Sequence, residues 1–191
     1  MAGPPDIPAD TLDELLRAGD QAFDEFRTLN AHRHHLFIPC DARGAYEALR
    51  ELRSRGTTFV ELGSGAGIVT VMADLLGFEA YGIEIEPWLV ERSVEIASDF
   101  GSGAVFAEGS FVPTEYQDAV ELLSGDRLTI TDGACGFDEL DLELSDFDCV
   151  FAYPWPGEED WLTEMMRRHG REDALLVTYD VSEGFRVLNE D

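Results

Sequence analysis

Residues 57–87 read TTFVELGSGAGIVTVMADLLGFEAYGIEIEP. The β-branched and aromatic run at 57–62 predicts a strand, and the periodic apolar run at 66–77 predicts a helix. Glycines at 63, 65 and 67 join the two in a tight turn, which we call the glycine loop (63–67). A second strand is predicted at 80–85. A strand, a helix and another strand in this order form the unit from which parallel sheets are built, so the stretch predicts an α/β fold.

The same alternation continues along the rest of the chain. Three more strands are predicted over 104–108, 147–153 and 174–180, and two more helices over 87–101 and 158–170. Few residues follow 180, which leaves room for one short extra strand at most, GFRVL at 184–188. We therefore predict a doubly wound, mostly parallel sheet with helices on both faces.

The length of 191 residues lies within the roughly 100 to 200 residues of one domain, so we expect a single domain over 10–191. Three prolines make residues 1–9 a flexible lead-in. Within the domain, 57–180 is the predicted core, and 124–146 is an acidic insertion that is too irregular for a simple crossover. The region 10–56 is a helical N-terminal extension, with two helices predicted over 10–30 and 41–56.

The charge of the chain is strongly negative. Forty Asp and Glu residues against thirteen basic residues, all Arg, give a formal net charge of −27. Because nucleic-acid affinity depends on basic side chains, this balance argues against a nucleic-acid partner. Two origins of the lysine-free acidic composition stay open, adaptation to high salt and a GC-rich codon bias.

The cysteines and the hydropathy indicate a cytoplasmic protein. Cys40, Cys135 and Cys149 are odd in number and widely spaced, which argues against a disulfide framework and fits a reducing compartment. No apolar run approaches the ~18 residues of a membrane span. We therefore expect no membrane association.

The glycine loop and the acid after the second strand predict a nucleoside site. Glycines let the backbone approach a ligand closely, and the free N–H groups of the next helix face the same place. Glu84 lies at the end of the second predicted strand, where a carboxylate can accept both ribose hydroxyls.

The choice of cofactor depends on two residues. The dinucleotide fingerprint requires glycine at position 68, which is Ile68. The carboxylate of Glu61, just before the glycine loop, would repel a pyrophosphate but would attract an ammonium group. A cofactor with an amino-acid moiety and a ribose is therefore favoured, and an NAD-dependent enzyme is kept as a rival.

Over roughly residues 57–180 the chain resembles the class I S-adenosylmethionine-dependent methyltransferases. The resemblance rests on four motifs, ELGSGAG at 61–67, GIEIEP at 82–87, EGSF at 108–111 and DCVFAYPWP at 148–156. It implies a Rossmann-like fold with strand order 3-2-1-4-5. It also implies that S-adenosylmethionine lies at the carboxyl ends of strands one and two, with the acceptor over strand four.

The resemblance also implies roles for single residues. Tyr153, Pro154 and Trp155 are the implied catalytic positions, facing the transferred methyl group. In the third motif, which flanks the adenine in the family, Ser110 stands where an acid is usual, and Glu108 or the serine hydroxyl is expected to substitute. The implied cofactor-binding residues are Glu61, Gly63, Ser64, Gly65, Gly67, Glu84, Ile85, Glu108, Gly109 and Ser110.

The fourth motif leaves the methylated atom open. Family members that methylate amino nitrogens often carry Asn or Asp before Pro-Pro-aromatic, whereas this chain has Tyr153-Pro154-Trp155-Pro156, so no amino-nitrogen target is assigned. Transfer from a sulfonium needs little acid–base chemistry, because the leaving group is neutral. If a base is used, the candidates are Tyr153 and the histidines at 32, 34 and 35. No acid or Cys pair at ligand spacing accompanies those histidines, so no metal is predicted.

The sequence thus predicts an S-adenosylmethionine-dependent methyltransferase with a small-molecule or protein acceptor. The alternative is a non-catalytic S-adenosylmethionine-binding or interaction protein on the same fold. The predicted fifth strand lies near the end of the chain as an exposed edge, which a homodimer partner could cover.

Overall fold

The computed structural model describes residues 6–30, 38, 40–123, 129–130, 133–180 and 184–188. The N-terminal part contains helices α1 (Ala9–Leu29) and α2 (Ala42–Leu52). The alternating part then runs β1 (Thr58–Leu62), α3 (Ile68–Leu75), β2 (Glu79–Glu84), α4 (Pro87–Asp99), β3 (Val105–Glu108), α5 (Thr114–Leu123), α6 (Gly136–Leu140), a 3-10 turn (Leu144–Asp146), β4 (Cys149–Ala152), α7 (Glu159–His169), β5 (Leu175–Asp180) and β6 (Gly184–Val187). Among these helices none combines the length and the apolar character needed to cross a bilayer.

The strands form one sheet in the order β3-β2-β1-β4-β5-β6. The first five are parallel, and β6 pairs antiparallel with β5 through registers such as Tyr179 with Phe185. This confirms the predicted Rossmann-like sheet, its 3-2-1-4-5 order and the short extra strand. The expectation that strand five is an exposed edge is wrong, because β6 supplies its outer hydrogen-bond partners.

Helices cover both faces of the sheet, as their apolar periodicity predicts. On one face, α1 to α4 bury side chains such as Leu15, Met72 and Leu89. On the other, α5 to α7 bury side chains such as Tyr116 and Met165. The sheet therefore separates two apolar clusters, which is the layered arrangement of a doubly wound fold.

The N-terminal helices are part of the first helical layer. A Cβ on Gly19 of α1 would come within 2.7 Å of Cγ1 of Ile68, so the absence of a side chain lets α1 cross close to the start of α3. The Phe26 ring of α1 lies 5.8 Å from that of Trp88 on α4. Asp41 begins α2 by accepting a hydrogen bond from the Gly44 N–H at 3.1 Å, as an N-cap residue does.

The segment between β3 and β4 is more ordered than its acidic composition indicates. The sequence analysis did not predict α5 or α6, and α6 lies inside the predicted insertion at 124–146. Phe137 and Leu144, set among acids, are buried against the sheet, and these apolar contacts offset the ordering of the segment. Residues 124–128 and 131–132 lie outside the described residues.

Candidate active site

A cavity of about 590 Å³ lies at the carboxyl ends of the parallel strands, a size typical of small-molecule sites. Its walls come from the glycine loop, from the segments that follow β2, β3 and β4, and from the end of β5. Helix α1, the segment before α2 and the first turn of α7 close the sides. Parallel α/β sheets bind ligands at this edge, where the strand order reverses between β1 and β4.

The glycine loop is tied to the neighbouring strand. The N–H groups of Gly63 and Ser64 both donate to the carbonyl of Ile83 on β2, at 2.9 and 3.0 Å. Gly63 and Ser64 line the cavity, whereas Gly65 and Gly67 are buried and are not among its lining residues. The loop therefore presents its first half to a ligand, and its second half shapes the turn into α3.

Gly67 carries the steric requirement of that turn. It caps α3 at φ +75°, and a Cβ there would lie 2.6 Å from side-chain atoms of both Ser93 and Phe106. We expect Gly67→Ala to lower the free energy of unfolding by about 3 kcal/mol or more, since backbone strain adds to overpacking. Gly101→Ala is the matched control, because Gly101 also has positive φ but has nothing within 4 Å of its would-be Cβ.

The Gly101→Ala substitution should cost about 1 kcal/mol, the strain component alone. Urea unfolding of the two variants measures the difference. Equal losses in Gly67→Ala and Gly101→Ala would contradict the close packing of the loop against β3 and α4.

Glu61 is a buried carboxyl that lines the cavity from β1. Its side chain is 6% exposed, and Oε2 accepts hydrogen bonds from the Thr70 backbone N–H at 3.0 Å and from the Thr70 hydroxyl at 2.6 Å. Burial raises the pKa of Glu61 to about 8, and the nearby Glu84 carboxyl adds to the rise. A ligand ammonium placed beside Glu61 would favour the charged carboxylate and lower that pKa.

Glu84, at the end of β2, accepts hydrogen bonds from three backbone N–H groups. Its Oε2 accepts from Gly65 at 2.8 Å, and its Oε1 accepts from Ile85 at 2.8 Å and from Glu86 at 3.0 Å. The side chain is 8% exposed and lines the cavity, and its burial raises the pKa of the carboxyl. A carboxylate has about four acceptor positions, so Glu84 fixes the glycine loop and keeps capacity for a ligand hydroxyl.

The segment after β3 departs from the predicted site. Gly109 and Phe111 line the cavity, but Glu108 and Ser110 do not. Glu108 is exposed at the edge strand, and Ser110 is buried in a parallel bridge to Cys135. Their expected cofactor contacts are therefore wrong, because the segment before α6, which is distant in sequence, packs beside Ser110.

The lining residues fit an adenosyl amino acid. The buried hydroxyl of Ser64 has no hydrogen-bond partner among the described residues and borders the cavity. Buried polar atoms are normally paired, so a ligand polar group is the natural partner. Ile85 lines the cavity next to Glu84 and offers an apolar surface to a flat base.

The predicted catalytic segment lies at the other end of the cavity. Tyr153, Pro154 and Trp155 follow β4, and all three are lining residues. The Tyr153 ring makes an edge contact with Tyr179 at 5.1 Å between ring centroids. Burial, followed by the nearby Tyr179, raises the pKa of Tyr153, so its phenol stays protonated at neutral pH and is a poor base. The alternative bases at positions 32, 34 and 35 lie outside the described residues.

Several lining residues were missed by the sequence analysis. Leu16 and Asp20 of α1, Cys40 and Asp41 before α2, and Trp161 of α7 all border the cavity. The spacing of Leu16 and Asp20 by four places them on one helical face, which is the signal the sequence offers. Which face meets the site depends on long-range packing.

Comparisons with known proteins agree with the fold. No family model matches the chain. A segment of 54 residues is 39% identical to an ATP synthase lysine N-methyltransferase of Xenopus laevis and 37% identical to that of Homo sapiens. The match covers 28% of this chain and 24% and 23% of those proteins, so the chain matches about a quarter of the length of these curated relatives.

Solved structures match over most of the chain. The RNA methyltransferase of Salinibacter ruber, bound to S-adenosylhomocysteine, superposes with a TM-score of 0.53 at 18% identity, covering 82% of this chain and 95% of that one. An O-methyltransferase of Bacillus cereus, also with S-adenosylhomocysteine, gives 0.53 at 11% identity, covering 93% and 69%. At these identities the likeness establishes the fold. In fold, the chain is a Rossmann-like protein of the class I S-adenosylmethionine-dependent methyltransferase type.

Proposed function

We propose that this protein transfers the methyl group of S-adenosylmethionine to an amine on a basic protein segment. The observation that carries the proposal is one continuous cavity. It joins the buried carboxyls of Glu61 and Glu84 to the Tyr153-Pro154-Trp155 segment after β4. The first pair suits the two polar ends of an adenosyl amino acid, and the second suits the group that receives the methyl.

Each residue has a defined task in this reaction. Glu61 holds the ammonium of the methionine moiety, and Glu84 accepts the ribose hydroxyls while it holds the glycine loop in place. S-adenosylmethionine supplies an electrophilic methyl group on a sulfonium, which leaves as a neutral thioether. Pro154 and Trp155 position the acceptor nitrogen and exclude water, since this reaction depends chiefly on alignment of the nucleophile.

The acceptor end of the cavity favours a cation. Asp41 and Asp180 line it together with the rings of Tyr153, Trp155 and Tyr179. Aromatic faces and carboxylates both attract an alkylammonium group.

The overall charge and the relatives support the same class of acceptor. Arg43 also lines the cavity, but its charge is paired with Asp13. The net charge of −27 draws basic partners from solution. The names of the curated relatives include lysine N-methyltransfer, which supports a protein amine over the small-molecule acceptor.

The test is transfer of labelled methyl to a set of acceptors. The set contains a basic peptide with one lysine, the same peptide with arginine in its place, a small diol and a transfer RNA. We expect label on the lysine peptide alone. Label on the diol or the RNA without the peptide contradicts the proposed acceptor, and cofactor binding without transfer to any acceptor supports the non-catalytic alternative.

Asp180 provides a prediction about the acceptor. Asp180→Asn should lower kcat/KM for the basic peptide about tenfold, equivalent to ~1.4 kcal/mol, and should leave the affinity for S-adenosylhomocysteine unchanged. Asp173→Asn is the matched control, because Asp173 pairs with Arg171 before β5 and is not a lining residue. Equal kinetics in the two variants would remove Asp180 from acceptor recognition.

Three wider points belong to the proposal. We infer a single methyltransferase-like domain over 10–191, because the N-terminal helices pack into the same layer as α3 and α4. A cytoplasmic location is supported by three free cysteines, Cys40, Cys135 and Cys149. A homodimer loses its argument from the sequence, since β6 covers β5.

A further inference from the structure

Trp161 of α7 has a buried N–H group that no part of the proposed mechanism uses. Its side chain is 4% exposed and borders the cavity. Within the described part of the chain, Nε1 has no hydrogen-bond partner. Unpaired buried donors are costly and uncommon in native proteins, so this one points to a ligand acceptor atom.

The position of the indole is fixed by neighbouring aromatic residues. It stacks on Phe111 with 6.2 Å between ring centroids and 7° between ring planes. Cε1 of Phe111 lies 3.8 Å from the place that a Cβ on Gly63 would occupy. The Trp161 carbonyl accepts a hydrogen bond from the Tyr116 hydroxyl at 3.4 Å, which holds α7 against α5. The aromatic pair therefore adjoins the glycine loop on the side where the chain leaves β3.

The strand order tells which part of the cofactor reaches this side. Glu61 belongs to β1 and Glu84 to β2, and β3 lies beyond β2 in the sheet. A ligand with its ammonium at Glu61 and its ribose at Glu84 therefore extends its base toward the end of β3. Phe111 lies just after that end and borders the cavity.

This end of the cavity has few polar side chains for a base. Ile85, Gly109 and Phe111 line it, and their side chains carry no polar atom. Glu108 and Ser110, which the sequence resemblance assigned to the base, are not lining residues. An adenine ring presents nitrogen acceptors at its edge and needs a donor to be distinguished from an apolar ring.

We propose that the indole N–H of Trp161 donates a hydrogen bond to a ring nitrogen of adenine, which makes Trp161 a cofactor-specificity residue. The inference rests on the proposed function, because it requires an adenosyl cofactor in the cavity. It adds a donor from α7 to a site otherwise built by the loops after β1, β2 and β3.

The test removes the N–H and keeps an aromatic ring. Trp161→Phe and wild type are titrated calorimetrically with S-adenosylhomocysteine, with methylthioadenosine and with the 1-deaza, 3-deaza and 7-deaza forms of S-adenosylhomocysteine. We expect Trp161→Phe to lose about tenfold in affinity for the first two ligands, which share adenosine. Against one deaza form, the one that lacks the accepting nitrogen, wild type and variant should bind alike.

Trp88→Phe is the matched control, since Trp88 lies on α4 beside Phe26 and is not a lining residue. It should bind every ligand as the wild type does. Unchanged affinity of Trp161→Phe for S-adenosylhomocysteine overturns the inference, and so does a loss of the same size against all three deaza forms. Failure of the wild type itself to bind S-adenosylhomocysteine would instead overturn the proposed function.

Discussion

Glu84→Ala should lower the affinity for S-adenosylhomocysteine about a hundredfold, equivalent to ~2.7 kcal/mol. Hydrogen bonds to a charged group are each worth roughly 1.5 to 3 kcal/mol, and two effects are lost together here. The ribose loses its acceptor, and the N–H groups of Gly65, Ile85 and Glu86 lose the carboxylate that holds them. Calorimetric titration gives the affinity.

Two further variants separate these effects. Glu84→Gln keeps one oxygen for Ile85 and Glu86, but its amide group cannot accept from Gly65, so it should fold better than Glu84→Ala and still bind weakly. Glu79→Ala is the matched control. It removes a carboxylate from the start of the same strand, where Glu79 accepts from the Tyr81 hydroxyl at 2.6 Å. If Glu84→Ala binds as tightly as Glu79→Ala, the ribose assignment is wrong.

Glu61→Gln should stabilise the ligand-free protein and weaken cofactor binding. Because the pKa of Glu61 rises from its ordinary value of 4.5 to about 8 on folding, its contribution to stability is fully present below pH 4.5. That contribution falls as the pH rises and is lost by about pH 8. At pH 7 the variant should gain on the order of 3 kcal/mol in unfolding free energy, since each pKa unit corresponds to ~1.4 kcal/mol. Urea unfolding between pH 5 and about 8 measures it.

The same substitution tests the role of Glu61 in binding. Near pH 7 a ligand ammonium beside Glu61 should drive off close to one proton, because it lowers the raised pKa of the carboxyl. Calorimetry in two buffers with different ionisation enthalpies counts the protons released. Glu61→Gln retains the oxygen that accepts from Thr70 and should release fewer protons by about one. Identical proton release and identical pH dependence of stability in both proteins would place the ammonium elsewhere.

Local spacing made part of the site predictable. Glu61, the glycine loop and Glu84 lie within one strand-helix-strand unit, so their positions at the strand ends follow from the order of the elements. Tyr153, Pro154 and Trp155 follow β4 for the same reason. These residues border one cavity, apart from the buried second half of the glycine loop.

The rest of the site depends on contacts between distant segments. Ser110 is turned away from the cavity because the segment at 134–136 hydrogen-bonds on either side of it, at 2.8 Å in both directions. Trp161 and Asp41 reach the cavity only through the packing of α7 and α2 on opposite faces of the sheet. Helical periodicity identifies buried positions, but it does not tell which of them borders a ligand.

The most direct test of the account is a calorimetric titration of the purified protein with S-adenosylmethionine, S-adenosylhomocysteine and NAD. It should be run in both low and molar salt, because salt screens the repulsion between the many acidic side chains. We predict one-to-one binding of the two adenosyl ligands with a dissociation constant on the order of 1 to 100 μM, and no binding of NAD. Binding of NAD alone, or of none of the three by protein shown to be folded, would contradict an S-adenosylmethionine site in this cavity.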